Sequence, residues 1–193
     1  MIGSRVPVLA TLVVAAAAVV MIALGFWQLG RSGEKAALIA RYEAVVGNPA
    51  AVAYPFRESA VAAALYRRSE VDCEAVTSIR AVNGTRADGA KGWAHKAVCR
   101  TPDGQEATVT IGFSNNAQSP DWRGGTVSGI VAPGPRLVAD PPLAGLEPLA
   151  KPDPGDLPNN HLAYAVQWFL FAATALVVYV LALRRRKAGG RKA

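Results

Sequence analysis

Two long apolar runs, one near each end of the chain, constrain the fold more than any other feature of the sequence. Residues 6–29 contain no charged side chain, and as a helix they would be about 36 Å long at a rise of about 1.5 Å per residue. The apolar part of the second run, residues 162–183, would be about 33 Å long. The hydrocarbon core of a bilayer is about 30 Å thick. The sequence therefore predicts two transmembrane helices, at residues 6–29 and 161–183.

A cleaved signal peptide is the competing interpretation of the first run, because Arg5 precedes it and alanines are plentiful. The apolar part of a signal peptide is usually about 7 to 15 residues long and ends at a cleavage region of small residues. This run is longer and continues directly into Trp27, Gln28 and Arg31. The sequence therefore favours a retained membrane helix.

The net charge of +7 is concentrated next to the apolar runs. Residues 30–160 hold all 14 acidic side chains and an equal number of Lys and Arg, so the excess lies in residues 1–5 and in the basic tail at 184–193. Basic flanking residues stay on the cytoplasmic side of membrane helices. We therefore expect a two-pass protein of a bacterial inner (plasma) membrane, with both termini cytoplasmic and residues 30–160 periplasmic. This arrangement favours a lipid bilayer, and not a nucleic acid, as a partner.

A histidine stands at the start of the second run, in the sequence P-N-N-H-L-A-Y-A-V-Q-W-F-L-F from Pro158 to Phe171. One of the two asparagines before His161 can cap the helix, and Tyr164 and Trp168 return to the face of His161 at helical spacing. The positive end of a helix disfavours an imidazolium and leaves a neutral nitrogen for a metal. An iron porphyrin, with a vacant axial position and anionic carboxylates, fits these properties. A histidine that only caps or anchors the helix is the alternative.

Aromatic and polar side chains stand at the same, outer end of both predicted helices, where Trp and Tyr prefer the boundary between water and lipid. If the helices pair, one pocket at the outer leaflet would be lined by Trp27, Gln28, His161, Tyr164, Gln167 and Trp168. Arg31 or Lys35 would then lie near enough to neutralise a propionate. Two ordinary aromatic belts, with Arg31 as a flanking anchor, are the alternative.

The region between the two runs is predicted to be rich in β-structure. A helix at 34–46 continues from the first span, and residues 50–56 enter a strand. Period-two alternation then predicts strands at 71–81, 93–99, 107–113 and 124–131. Asn83-Gly84 and Asp88-Gly89 mark a turn-rich loop, and the Pro- and Gly-rich residues 132–158 should be extended and pack across the sheet. We expect an α+β membrane protein whose exported domain is an antiparallel sheet or a small barrel.

The two cysteines, Cys73 and Cys99, suit this arrangement. If Arg86 lies at the centre of the loop between the first two strands, the cysteines are directly opposite each other, at a distance that a disulfide requires. An oxidising compartment favours a disulfide, and two free thiols or a copper site are the alternatives. His95 is the only nearby metal ligand, and its alternation with strand residues favours a solvated or packed side chain.

The sequence contains none of the common hydrolase, nucleotide or redox motifs: no G-x-S-x-G, no Walker A loop, no G-x-G-x-x-G and no C-x-x-C. We therefore interpret the chain as a non-enzymatic protein.

The string from Pro158 to Phe171 has a companion near the first run, G-F-W-Q-L-G-R-S-G-E-K-A-A-L-I from Gly25 to Ile39. Together they resemble the surfeit-locus (Shy) family of cytochrome c oxidase assembly proteins. The resemblance implies two membrane spans, a domain on the outer side, and help in installing haem a in the catalytic subunit of the oxidase. It also implies that haem a is bound through the histidine that matches His161. The family's usual Leu-Val-Asn-Arg-Gly-Trp segment is replaced here by T-V-T-I-G-F-S-N, from Thr108 to Asn115.

Two hypotheses follow. In the first, the protein is a haem a carrier for the respiratory chain, with His161 as axial ligand, the catalytic subunit of the oxidase as partner and the haem a synthesis machinery as a further one. In the second, it is a membrane-anchored scaffold that holds the oxidase subunit during assembly and binds no cofactor.

Overall fold

The computed structural model describes residues 7–189 of the chain and divides it into two units. One unit, called here the helix pair, contains the residues up to Leu38 and from Pro158 onwards. The other, called the β-domain, is Ile39–Leu157. Arg5 and residues 190–193 of the basic tail lie outside the described residues.

The helices are α1 (Val8–Glu43), α2 (Glu58–Ala64) and α3 (His161–Gly189), with a short 3-10 helix at Pro154–Asp156. α1 begins directly after Pro7, whose carbonyl accepts a hydrogen bond from the Thr11 N–H at 2.9 Å, and proline is well suited to a helix start. The helix predicted at 34–46 is the continuation of the first run, but it ends at Glu43. A turn follows and reaches Gly47, at a φ of 79°.

Both α1 and α3 are long and apolar enough to cross a membrane. Their length and composition are consistent with the predicted two-pass arrangement. α2, an alanine-rich helix of seven residues, was not among the sequence-based expectations.

The β-domain contains one seven-stranded mixed sheet with the order β1-β2-β6-β7-β5-β4-β3. The strands are β1 (Val52–Ala53), β2 (Arg68–Cys73), β3 (Ala75–Thr85), β4 (Lys91–Arg100), β5 (Glu106–Ser114), β6 (Gly125–Ala132) and β7 (Arg136–Ala139). The sequence predicts an antiparallel sheet or a small barrel, whereas two strand pairs, β1 with β2 and β5 with β7, are parallel. For β5 with β7, the reason lies in the Pro- and Gly-rich segment. It supplies β7, which follows β6 as a hairpin and inserts between β6 and β5.

The strand expected at 71–81 is also two strands, because the chain leaves the ladder at Glu74. β2 and β3 are therefore consecutive in the chain but lie near opposite ends of the strand order. This connection brings the two sides together, and the sheet closes into a small barrel. Its interior is filled by apolar side chains with no exposed surface: Val109, Ile111, Val127, Val131 and Leu137. In β5, the alternating apolar residues of the sequence, Ala107, Val109, Ile111 and Phe113, are the ones that are fully buried.

Cys73 is bonded to Cys99, with Cα atoms 5.4 Å apart, which is the pairing that the sequence favours. The expected register is wrong, however: Cys99 stands opposite Val76, and the hairpin closes where Thr85 pairs with Lys91. The bend at Glu74 and a bulge after Val76 carry Cys73 out of the β3–β4 ladder. The disulfide therefore ties the end of β2 to β4, across the closure of the barrel.

The turn between β3 and β4 is shorter than the sequence suggests. Gly84 lies within β3, where a Cβ would come within 2.6 Å of Ala94, so the close approach of the two strands requires glycine there. The turn itself lies at 86–90, with Gly89 at a φ of 93°. Arg86 binds Asp88 and holds the pKa of that carboxyl at about 2.

Candidate functional site

The start of α3 fixes the position of His161. The Tyr164 N–H donates to the Asn160 carbonyl at 3.2 Å, so Asn160 is the residue whose carbonyl accepts the first helical hydrogen bond. Asn159 instead turns towards α1, where its Nδ2 donates to the carbonyl of Ser32 at 3.2 Å. His161 is consequently the first residue of α3 and is half-buried.

His161 is held by Gln28 of α1, whose Oε1 lies 2.7 Å from the imidazole Nδ1. An amide oxygen only accepts hydrogen bonds, so Nδ1 is the donor to this oxygen. In a neutral imidazole with this tautomer, the lone pair is on Nε2. A hydrogen bond of this kind on one ring nitrogen is the usual support for a histidine that coordinates a metal through the other. The pair therefore presents an oriented imidazole nitrogen.

The packing of the helix pair places Gln28 opposite His161. The contacts along their length include Thr11 to Tyr179, Gly25 and Phe26 to Phe169, Gln28 to His161, and Ser32 to Asn159. As the residue number along α1 rises, the number of the contacting residue in the second segment falls, so the helices are antiparallel. A Cβ on Gly25 would lie 2.5 Å from the ring of Phe169. Small residues at such positions let membrane helices approach closely, and here Gly25 sits three residues before Gln28.

The same closeness extends further along the pair. Ala18 lies seven residues after Thr11, and Ala172 lies seven residues before Tyr179, so the two alanines are at the same level. Both are buried, at 4% and 2% exposure. The small side chains thus share one stripe on each helix with the polar contacts, and together they set the register that the site depends on.

The aromatic residues expected at the site are mostly exposed. Trp27 is 56% exposed and Tyr164 is 51% exposed, and within residues 7–189 neither belongs to a ring–ring pair. Trp168 is half-buried and packs edge-on against Phe171, with ring centroids 6.1 Å apart. The faces of Trp27 and Tyr164 are therefore available to a flat apolar group, whereas Trp168 is engaged along its own helix.

The two cations proposed for a propionate differ in their surroundings. Arg31 is salt-bridged to Glu34, one turn further along α1. Lys35 is half-buried and lies seven residues, or two turns, after Gln28 on the same face of α1. A carboxylate ligand would have to compete with Glu34 for Arg31. For Lys35, no ion pair is formed within the part of the chain that the structure describes.

The donor set suits a metal that brings most of its own ligands. Among the described residues, no three His, Cys, Asp or Glu side chains cluster closely enough to hold a metal ion. A structural zinc site usually requires four protein ligands, whereas a porphyrin iron requires only axial ones. One oriented imidazole, with exposed aromatic side chains at Trp27 and Tyr164 on the same two helices, therefore fits a haem better than a bare ion.

The second histidine and the two cysteines belong to the β-domain. His95 is fully buried in the β-domain, where its Nε2 lies 2.8 Å from Ser114 Oγ, and burial lowers its pKa. This agrees with the packed side chain expected from the strand pattern. Both thiols are consumed by the disulfide, so they offer no thiolate to copper.

Sequence reasoning placed Gln28 in the pocket but did not find its bond to His161 or the contact between Asn159 and Ser32. A signal was present, because Gln28 is a polar residue at the end of an otherwise apolar run. A polar side chain in that setting requires a hydrogen-bond partner.

The chain matches a known protein family. The sequence profile of the SURF1 family matches residues 15–173, which is more than half of the chain and includes both Gln28 and His161. That family is associated with cytochrome oxidase assembly. Among curated proteins, none matches the chain.

Proposed function

Because the chain belongs to the SURF1 family, we propose that it is a non-enzymatic assembly factor that binds haem a at His161 and assists its insertion into the catalytic subunit of a haem-copper cytochrome c oxidase. The family supports the general role in oxidase assembly. The observation that carries the haem part of the proposal is the 2.7 Å contact between Gln28 Oε1 and His161 Nδ1. With Nδ1 as the donor, this contact orients the ring so that Nε2 is the nitrogen that would coordinate the iron.

Each residue of the site has a separate task in this proposal. Haem a would supply an iron that accepts an imidazole nitrogen, and His161 would hold it through Nε2. Gln28 holds the ring and keeps the proton on Nδ1. Trp27 and Tyr164 offer apolar faces to the macrocycle, and Lys35 is the better placed cation for a propionate because Arg31 is paired with Glu34.

The membrane arrangement belongs to the same proposal. The chain would cross a bacterial inner membrane twice through α1 and α3, with both termini in the cytoplasm and the β-domain in the periplasm. His161 would then lie at the outer boundary of the membrane, where haem a can be received from its synthesis machinery and passed on without crossing water.

A scaffold that binds no cofactor is the second candidate, and the exposure of the same aromatic side chains favours it. Trp27 and Tyr164, each more than half exposed, would also serve as contacts for helices of the oxidase subunit. Aromatic residues are common in the centres of protein interfaces.

Haem content separates the two candidates. The full chain would be expressed in cells that make haem a and purified in detergent, and its absorption spectrum and haem-to-protein ratio would be measured. We expect the wild-type protein to retain haem and His161→Ala to lose it. His95→Gln removes the only other histidine of the chain and is the matched control, which should keep its haem. Equal haem in His161→Ala and wild type, or loss only in His95→Gln, would overturn the ligand role.

Gln28 provides a sharper test of the geometry. Gln28→Leu removes the acceptor for Nδ1 and should weaken haem binding about ten- to hundredfold, the usual effect of losing such a partner. Gln28→Glu keeps a hydrogen-bond acceptor for Nδ1, and its negative charge makes the imidazole a more basic ligand for the iron. This variant should therefore retain haem, and the reduction potential of the haem should be lower. The measurements are haem titration and redox potentiometry. An unchanged spectrum and potential in both variants would exclude the positioning role of Gln28.

A further inference from the structure

A groove of about 590 Å³ opens on the outer face of the β-domain, between β3, β4, β5 and β7 and the segment that follows β7. This volume is within the range usual for small-molecule sites, about 300 to 1,000 Å³. Its lining is strongly basic. Four cations (Lys91, Lys96, Arg136 and Lys151) face one carboxylate, Asp156.

Most of these cations form no ion pair with the residues that the structure describes. Lys151 is salt-bridged to Asp140, at 3.2 Å. Within residues 7–189, no ion pair is formed by Lys91, Lys96 or Arg136. The groove therefore has an excess of positive charge that an anion would offset.

The sheet register concentrates this charge. Lys96 on β4 stands directly opposite Arg80 on β3. Like charges at directly opposed positions destabilise a sheet, so the arrangement costs free energy unless an anion lies close by. On its other side, Lys96 stands opposite Thr110 of β5.

Thr110 supplies an independent observation. Its side chain is only 4% exposed and lines the groove, yet its Oγ1 is buried without a hydrogen-bond partner. A buried hydroxyl without a partner is unfavourable and uncommon in native proteins. An anionic oxygen in the groove would give the hydroxyl an acceptor.

Four apolar side chains, Val82, Ala94, Val138 and Leu149, also line the groove, together with the polar side chains of Asn83 and Thr85. The ligand should therefore combine a compact anionic group with a less polar body. Lysine ammonium groups bind phosphate as point charges, and a hydroxyl donor completes such a site.

We propose that this groove binds a phosphate group, with Lys96 and Arg136 providing the charge and the Thr110 hydroxyl donating a hydrogen bond. The phosphate belongs either to a phospholipid headgroup or to a free small molecule. The proposal does not depend on haem binding, because every residue that it uses lies in the β-domain.

Calorimetry on the full-length protein in a neutral detergent tests the proposal with two probes, inorganic phosphate and dihexanoylphosphatidylglycerol. Binding of the lipid alone would identify a headgroup site, and binding of both would identify a site for the phosphate group itself. Binding of neither would overturn the proposal, and so would tighter binding of a Glu-rich peptide than of either probe.

Two variants and a control locate the site. Lys96→Gln should weaken binding about tenfold, since a charged hydrogen bond is lost. Thr110→Val should weaken it roughly three- to tenfold without changing the charge. The control is Arg123→Gln, because Arg123 is a highly exposed cation of the same domain that does not line the groove. Equal weakening by Lys96→Gln and Arg123→Gln, or full binding by folded Thr110→Val, would contradict the assignment. Circular dichroism verifies that each variant is folded.

Discussion

The two units of the molecule use apolar residues in opposite ways. In the β-domain, large side chains such as Ile111 and Leu137 have no exposed surface. In the helix pair, Leu9 is 77% exposed and Leu170 is 60% exposed. The β-domain therefore buries its own apolar surface, as a water-soluble protein does, whereas the helix pair requires an apolar environment to cover it.

The interior of each unit differs accordingly. The barrel is held by large apolar side chains and a disulfide. The helix pair is held by small residues, which permit close approach, and by a few polar contacts, which set the register. Changes in barrel packing should therefore alter stability and leave the His161 site intact, while small changes between the helices should alter the site and leave the barrel intact.

Removing the disulfide should give the largest effect, and it should be confined to the β-domain. The disulfide closes a loop with a sequence separation of 26 residues. Losing such a crosslink typically costs about 2–4 kcal/mol. We expect Cys73→Ala combined with Cys99→Ala to lower the Tm of the β-domain by roughly 10 to 20 °C, as measured by thermal unfolding in detergent. Haem content per folded molecule should not change.

Wild-type protein treated with a reductant is the natural control, and its Tm should fall towards that of the double variant. If the Tm of the double variant were within about 2 °C of the Tm of the oxidised wild type, the disulfide would not stabilise the barrel closure. A loss of haem at a temperature where the double variant is still folded would break the separation between the units.

Filling the helix interface should give the next largest effect, confined to the other unit. Gly25→Leu forces a side chain into the ring of Phe169, and overpacking of this kind usually costs about 1–3 kcal/mol. Gly30→Leu is the matched control on the same helix, because a Cβ at Gly30 meets nothing within 4 Å. We expect Gly25→Leu to separate Gln28 from His161 and lower haem retention, with the Tm of the β-domain unchanged.

A direct measurement of helix separation would complete that experiment. Cysteines placed at Thr11 and Tyr179, which contact each other in the wild type, can be joined by a short bismaleimide. Cross-linking should be efficient in the Gly30→Leu background and poor in the Gly25→Leu background. Equal yields in both backgrounds would mean that the close approach at Gly25 does not hold the helices together.

The sequence predicted what depends on local pattern. Apolar runs gave the candidate spans, and alternation in β5 identified its core-facing residues. It did not predict β7, because prolines and glycines surround that strand and period-two alternation cannot be recognised over only four residues. The cysteine pairing was found through an incorrect register, since closure of the barrel, and not direct opposition in one hairpin, brings Cys73 to Cys99.

The same difference between local sequence pattern and tertiary contact applies to the candidate site. His161 was recognisable from its place at the start of an apolar helix, together with a family resemblance. Its bond to Gln28 was not, because the two residues are 133 positions apart and the contact depends on helix register. That register depends on the polar contacts and on the close approach of Gly25 to Phe169, which cannot be read from either helix alone.

A change in pH should give the smallest effect and should again act on one unit. His95 lies in the barrel with Nε2 bonded to Ser114 and Nδ1 buried without a partner, and burial lowers its pKa below the ordinary 6.5. His95 therefore binds a proton more readily in the unfolded chain than in the folded one. Its contribution to the free energy of unfolding is present above pH 6.5 and is lost as the pH falls through the lowered pKa. We expect the Tm of the wild-type β-domain to decrease by a few degrees on acidification, and the decrease to be smaller in His95→Gln, whose amide can still donate to Ser114. If the Tm of wild type and the Tm of His95→Gln depended equally on pH, other groups would be responsible and His95 would not be the acid-sensitive residue of the barrel.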